Sequence, residues 1–157
     1  QAWHDAMAAK YVTYIRAIDP VIKVQAARGS GVVVNVIGAG GKMASPVHLP
    51  GGSANAALML ATAGLANAYG ERGVRVVGIN PGSTLTERLK SGMQTDAQLH
   101  GITYDEALQR ATARTALKRI ATPREIADVV VFLASARASY VTGVNITMDG
   151  GSTPTVL

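Results

Sequence analysis

The residues with the clearest potential for chemistry lie around the segment LPGGSANAALML, residues 49–60. His48 stands directly before it, and histidine is the side chain type best suited to donate a proton near neutral pH. Ser53 lies within it and is predicted chiefly as the N-cap of the following helix. Lys10, far earlier in the chain, could contact a substrate or a phosphate group. His48, Ser53 and Lys10 are therefore the candidate catalytic residues. The alternatives are an exposed loop histidine and a solvated helix lysine.

The composition indicates a single globular domain built on a parallel sheet. The chain has 157 residues, of which 48% are hydrophobic and only 4% aromatic. A core of Ala, Val, Leu and Ile is typical of helices packed closely on a Val-rich parallel sheet. The absence of cysteine excludes disulfides, thiolate zinc sites and cysteine nucleophiles. We expect no metal site.

The charge pattern argues against nucleic acid and membrane partners. Fifteen Lys and Arg against ten acids give a net charge of +5, but no basic run is longer than two residues. A nucleic-acid-binding domain would be expected to show a basic stripe. No apolar run reaches the ~18 residues that a membrane span needs, and the first residues lack a signal-peptide layout. The sequence favours a soluble, cytoplasmic protein.

The predicted elements alternate between helices and short, continuously apolar strands. Pro20 is expected to bend or restart the first helix, and Gly29 to cap its end. The segment Thr122-Pro-Arg-Glu125 combines an N-cap, a proline at the first helical position and a glutamate at the third, so a helix should begin there. In chain order we predict a helix over 3–28, a strand over 31–37, a loop over 38–52, a helix over 53–69, a strand over 74–80, a polar stretch over 83–118 with one helix at 104–113, a helix from 122, and a last strand within 141–151.

This order predicts an α/β fold, a doubly wound parallel sheet in which each strand is followed by a crossover helix. Only about three strands can be counted, whereas open sheets of this type normally have more. The first strand, 31–37, would leave one edge unpaired and is expected to be buried on both faces. The chain therefore looks like part of a domain.

Five segments in this order resemble the C-terminal half of a short-chain dehydrogenase/reductase: VVVNVIG, SANAAL, GVRVVGINPGSTLT, RIATPREIADVVVFLAS and YVTGVNITMDGG. The resemblance implies a Rossmann-type fold, NAD or NADP as cofactor, and hydride transfer to or from a small-molecule carbonyl or alcohol. It also implies that residues 1–157 are the C-terminal part of one such domain. The half that carries the dinucleotide fingerprint would then be missing from this chain.

The family's catalytic side chains, carried over onto this sequence, are all replaced. The family uses a tyrosine, a lysine four residues later, a serine at the end of the preceding strand and an asparagine on the earlier helix. These positions fall on Gly52, Ala56, Gly38 (or its neighbour Ile37) and Lys10. Glycine and alanine have no proton to give, so the family's usual acid–base route is expected to be impaired.

The residues that contact the cofactor in the family are better preserved here than the catalytic residues. In the family a Pro-Gly turn packs near the nicotinamide, and a threonine five residues past the proline bonds its carboxamide. Here these residues are Pro81, Gly82 and Thr86. The alternative is a strand-ending turn that is merely inherited. The stretch 87–118 corresponds to the family's substrate lid and is long enough to close over a ligand.

Two functions remain open on these residues. One is an oxidoreductase with a rearranged site, in which His48 or a water handles the proton. The other is a catalytically silent member that binds a dinucleotide or metabolite, or serves as a structural subunit. The resemblance also implies a homo-oligomer (a dimer or tetramer), with interfaces on the long helices and on the last helix and strand. A face of small residues would suit close contact between helices and would equally suit the core: Ala54, Ala57, Ala61, Gly64 and Ala68.

Overall fold

The sheet is parallel and three-stranded. The computed structural model describes residues 1–154, except for the side chain of Val47. Strands β1 (Gly31–Val36), β2 (Val74–Pro81) and β3 (Asn145–Met148) lie in the order β1-β2-β3. Both strand pairs are parallel. The predicted Rossmann-type α/β architecture is confirmed.

The described part of the chain contains six α-helices. They are α1 (Ala2–Ala6), α2 (Thr13–Arg28), α3 (Leu49–Gly70), α4 (Glu87–His100), α5 (Tyr104–Ala113) and α6 (Pro123–Ala134). Of these, α2, α3 and α6 pack on the sheet. A π-helical segment, Met7–Val12, joins α1 to α2 without a break. Short 3₁₀ turns lie at Ala39–Gly41, Pro46–His48 and Ala136–Ala138.

The predicted first helix is present and continuous. It does not restart at Pro20, which lies exposed inside α2. The predicted cap is confirmed, because Gly29 ends α2 with a φ of 75°, in the left-handed region that glycine enters without steric cost. The π-helical segment was not expected from the sequence. It places Lys10 beside the end of β1.

The sheet carries a separate hydrophobic core on each face. One core joins α2 and α3 to β2 through Ile18, Ile22, Ala66, Val74 and Val76. The other joins α6 to β2 through Val77, Ile79, Ile126, Leu133 and Ala138. Adjacent strand residues point to opposite faces, so central β2 is buried on both. The first four residues of β1 are only half-buried, contrary to expectation, because β1 pairs with one strand among the described residues.

The polar stretch after β2 contains two helices rather than one. The predicted helix at 104–113 is confirmed as α5, whose N-cap Thr103 forms a capping box with Glu106. Helix α4 was not predicted because only Ala97 in it is buried, which leaves no apolar periodicity to detect. Its two cap residues were nevertheless recognisable in the sequence. They are Thr86 at the start and Gly101, with a φ of 63°, at the end. No described helix combines the length and apolarity that crossing a bilayer requires.

Helix α6 begins with the predicted capping box. Thr122 accepts a hydrogen bond from the Glu125 backbone N–H, and Glu125 accepts one from the Thr122 backbone at 2.8 Å. The Arg119 guanidinium also pairs with both carboxylate oxygens of Glu125, one of them at 2.9 Å. The Arg119 hydrogen bond first, and then those from Thr122, lower the pKa of the Glu125 carboxyl to about 2.

We expect Glu125→Gln to lower the free energy of unfolding at neutral pH. The deficit should shrink as the pH falls from the usual carboxyl pKa of 4.5 toward about 2. The folded-state pKa is depressed, so the charge stabilises above the unfolded pKa and this contribution is lost on acidification. Glutamine preserves the capping geometry, so the change isolates the charge.

Urea unfolding of both proteins from neutral to acidic pH measures this difference. Glu87→Gln is the matched control, since Glu87 also lies in a first helical turn but pairs only with exposed Lys90. The control should change stability little at any pH. A Glu125→Gln deficit that stays constant on acidification would contradict the assignment.

Candidate functional site

A cavity of about 720 Å³ lies at the carboxyl ends of β1 and β2. Ligands of open α/β sheets bind in this position, and the volume is within the ~300–1,000 Å³ of small-molecule sites. Its walls come from the π-helical segment, the loop after β1, the first turns of α3, the turn after β2 and the start of α4. The lining residues are Ala6, Ala9, Lys10, Ile37, Gly38, Ala39, Gly40, His48, Gly51, Asn55, Pro81, Gly82, Ser83 and Arg88.

Lys10 reaches the cavity from the π-helical segment. Its ammonium donates a hydrogen bond to the backbone carbonyl of Ile37 at 2.9 Å and lies 5.1 Å from the centre of the Tyr14 ring. The Tyr14 hydroxyl donates to the Val36 carbonyl at 2.7 Å, so both side chains join the helix to the end of β1. Burial, and then the nearby Arg88 guanidinium, lower the pKa of the Lys10 amine below its usual value.

The wall contributed by α3 is formed by Gly51 and Asn55. The family's tyrosine and lysine positions were expected at Gly52 and Ala56, but these two residues line a neighbouring groove of about 320 Å³. Residues four apart share a helix face, and a shift of one residue turns the pair about 100° away. The cavity-facing pair therefore differs by one residue from the expected one. Asn55 is buried.

His48 lies in the cavity, where two glycines leave room for its ring. A β-carbon built on Gly51 would lie 2.7 Å from the imidazole Nε2, and one built on Gly40 would lie 3.1 Å from its Cδ2. The latter position is also 3.5 Å from the Asn55 amide nitrogen. The ring therefore occupies the volume into which a side chain at position 51 would project.

Ser53 is not the N-cap that the sequence predicted. Helix α3 begins at Leu49, with His48 in the N-cap position. Pro50 fits the first turn, because the backbone N–H groups of a first turn have no partner within the helix and the N–H that proline lacks is therefore not needed there. Ser53 therefore lies in the second turn, exposed and lining the neighbouring groove rather than the cavity.

Gly38 shapes the end of β1 through its backbone. Its φ of 110° is one that residues with a side chain rarely adopt. Its carbonyl accepts a hydrogen bond from the Asn80 amide at 3.2 Å, which ties the loop after β1 to the end of β2. Ile37 beside it is buried and offers its carbonyl to Lys10. Neither residue brings a titratable side chain to the cavity.

Two of the three predicted cofactor residues line the cavity. Pro81 and Gly82 do so, together with Ser83. Thr86 lies outside it: its hydroxyl caps α4 by accepting from the Leu89 N–H, and it donates to the Thr84 carbonyl, both at 3.3 Å. The residues present therefore fit the ring end of a cofactor against the turn after β2.

Arg88 is a residue of the site that was not predicted from the sequence. It lies in the first turn of α4 and lines the cavity. Only the unrecognised α4 brings it there, so no local signal marked it. No group of three or more His, Asp or Glu side chains in the described part of the chain is arranged to hold a metal ion.

The comparisons with known proteins agree with this geometry. The family described as enoyl-(acyl carrier protein) reductase matches residues 1–153. The A-factor type gamma-butyrolactone 1'-reductase (1S-forming) of Streptomyces virginiae is 38% identical over 135 residues, which are 85% of this chain and 49% of that protein. The chain spans about half the length of the curated relatives it matches.

Solved structures show the same likeness. The L-sorbose reductase of Gluconobacter frateurii, complexed with NADPH and L-sorbose, matches with a TM-score of 0.86 and 27% identity, over 98% of this chain and 59% of that one. A short chain dehydrogenase family protein from Francisella tularensis subsp. tularensis SCHU S4 matches with a TM-score of 0.75 and 31% identity, over 79% of this chain and 51% of that one. The chain thus belongs to the short-chain dehydrogenase/reductase family.

Proposed function

We propose that the protein carrying this chain is an NAD(P)-dependent oxidoreductase acting on a carbonyl or alcohol substrate through an atypical active site. Family membership, the cavity at the strand ends and the NADPH complex of the similar L-sorbose reductase support the proposal. A bound nicotinamide would supply or accept the hydride. Pro81 and Gly82 would position its ring, and the cavity walls would orient the substrate.

In this proposal the family's tyrosine and lysine positions correspond to Gly51 and Asn55. Both residues line the cavity and lie four apart on α3. Glycine offers no side chain, and an amide can donate and accept hydrogen bonds but cannot titrate. Asn55 would hold a substrate oxygen, and the proton must then come from another residue.

We assign the proton transfer to His48. The observation that carries this assignment is the position of its ring, in the volume that a side chain on Gly51 would fill. An imidazolium nitrogen there would donate its proton to the substrate oxygen during reduction and take it back during oxidation. The His48 Nε2 and the Asn55 amide nitrogen each lie 3.5 Å from the position of a β-carbon built on Gly40, so both side chains would face the same oxygen.

The test compares the reduction of a model ketone by NADPH in the intact native protein and in His48→Ala. We expect kcat/KM to fall about 10²-fold, the low end of general acid–base contributions. His48→Gln, which keeps hydrogen bonding without a transferable proton, should fall similarly. His4→Ala removes an exposed histidine of α1 outside the cavity and is the matched control. Full activity in His48→Ala would assign the proton to another group.

The second candidate is a catalytically silent member that binds a dinucleotide or metabolite. The observation that favours it is the lack of any titratable side chain at positions 51 and 55. Calorimetric titration with NADPH, followed by incubation with ketones, separates the two functions. Binding without NADPH oxidation in the unaltered protein would support the silent function and refute the oxidoreductase.

Three further expectations from the sequence belong to this proposal. We propose a homo-oligomer, supported by the exposed apolar residues Leu60 on α3 and Val131 on α6, which are 76% and 68% exposed. We also propose that 87–118 acts as the substrate lid, supported by Arg88 at the cavity. We propose a cytoplasmic location as well. Light scattering tests the oligomer, proteolysis of 87–118 with and without ligand tests the lid, and cell fractionation tests the location.

A further inference from the structure

Two cationic side chains line the cavity from two different elements of the fold. Lys10 comes from the π-helical segment and Arg88 from the first turn of α4. They are close enough for the Arg88 charge to act on the Lys10 amine. Because these elements are separated by the whole of β1, α3 and β2, their meeting at one cavity is a product of the fold. It does not follow from a local run of basic residues.

Among the residues that the structure describes, neither cation has an acidic partner. Within residues 1–154, no carboxylate lies within 4.0 Å of the Lys10 amine or the Arg88 guanidinium, and the cavity lining includes no Asp or Glu. By contrast Lys23, Lys90, Arg119 and Arg124 each pair with an acid on or beside their own helix. The polar partner of the Lys10 amine is the neutral Ile37 carbonyl.

Two unpaired cations at a partly buried cavity give it a positive potential. Burial and the Arg88 charge both disfavour the protonated Lys10 amine and lower its pKa. Low-dielectric walls strengthen the field that a ligand experiences. An anionic group between the two side chains would relieve their repulsion and form charge-assisted hydrogen bonds with both.

We propose that the cavity takes an anionic substrate, a carbonyl or hydroxy compound that carries a carboxylate or phosphate group held by Lys10 and Arg88. As a statement about the substrate it rests on the proposed function. The volume of about 720 Å³ accommodates the charged group at these two residues and a reacting carbonyl near His48 and Asn55. His48 in its protonated form would add a third positive charge to the same cavity.

The test uses two ligand pairs that differ in charge but share the reacting carbonyl. They are levulinate with its methyl ester, and dihydroxyacetone phosphate with dihydroxyacetone. Binding to the intact native protein is measured by calorimetry with bound NADPH, and turnover by NADPH oxidation. We expect the anion that binds more tightly, levulinate or dihydroxyacetone phosphate, to bind at least about 10-fold more tightly than its own neutral partner. Hydrogen bonds to charged groups are stronger than those between neutral groups. The pair with the larger ratio identifies carboxylate or phosphate as the preferred group.

Variants localise the effect. Arg88→Gln and Lys10→Gln should each weaken binding of the preferred anion about 10-fold or more and leave the neutral partner within about 2-fold. Lys90→Gln removes an exposed charge on the same helix outside the cavity and should change neither. Thermal melting checks that Lys10→Gln, which also loses its hydrogen bond to Ile37, remains folded. Arg88 is exposed, so its variant should fold normally.

The outcomes separate this inference from the proposed function. Charge-selective binding that depends on Arg88, without NADPH oxidation, would support the anion site and refute the oxidoreductase. Turnover of both partners at equal kcat/KM, unchanged in Arg88→Gln, would refute the anion site and leave the oxidoreductase standing. A loss of NADPH affinity in Arg88→Gln, with no charge selectivity among the ligand pairs, would assign the cation to the cofactor and overturn the inference.

Discussion

Ile22→Ala is expected to lower the free energy of unfolding by about 2–5 kcal/mol, the usual cost of truncating a large buried aliphatic side chain. Ile22 is fully buried and belongs to the core that joins α2 to β2 through Val74 and Val76. The chain has few aromatic residues, so its core relies on many close contacts among small and branched side chains. Such a core has little freedom to collapse around a void, which favours the upper part of the range.

Urea unfolding measures the loss, and Val24→Ala provides the matched control. Val24 lies on the same helix but is 68% exposed, so its truncation should change stability by no more than about 0.5 kcal/mol. Equal effects of the two substitutions would show that α2 does not pack on the sheet as described.

Gly52→Ala is expected to destabilise the protein by about 1–3 kcal/mol, although alanine is the better helix former. A β-carbon on Gly52 would lie 2.7 Å from the backbone carbonyl oxygen of Gly40, so α3 or the loop after β1 would have to shift. Gly64 lies on the same helix. Leaving out its two chain neighbours and the backbone of its own helix, a β-carbon added there would have no atom within 4 Å. Gly64→Ala should therefore stabilise the protein by about 0.5–1 kcal/mol.

Chemical unfolding of the two variants side by side checks this prediction, and the sign of the difference decides it. Two stabilising substitutions would mean that α3 and the Gly40 loop are not in contact. The same contact bears on attempts to restore the family's tyrosine. At position 52 its β-carbon meets backbone, whereas at position 51 the three atoms nearest to it all belong to the His48 ring, a side chain that can turn away. Gly51→Tyr should accordingly displace His48 rather than unfold α3.

The sequence predicted those parts of the fold whose signals are local. The apolar runs 31–37 and 74–80, the left-handed cap at Gly29 and the capping box from Thr122 to Glu125 all depend on residues a few positions apart. Helix α4 was missed because its stability comes from its caps and from contacts with α5, while a hydropathy pattern detects only burial.

The site was predictable in outline but not in register. His48, Lys10, Pro81 and Gly82 all line the cavity, and their roles there stay predictions. The start of α3 was placed four residues late, because a Pro-Gly-Gly sequence normally indicates a turn and here forms the first helical turn. The close approach of Gly52 to the Gly40 carbonyl joins two different segments of the chain, so it leaves no local signal in the sequence.

The order of the three strands has a consequence for how the molecule assembles. The pairing of β1 with central β2 closes a loop of the chain that contains α3. The pairing of β2 with β3 closes a longer loop that contains α4, α5 and α6. Pairings distant along the chain cost more loop-closure entropy and slow folding. Closure of β1 on β2 should therefore precede the docking of β3. The two strands whose carboxyl ends border the cavity would thus pair before β3 joins them.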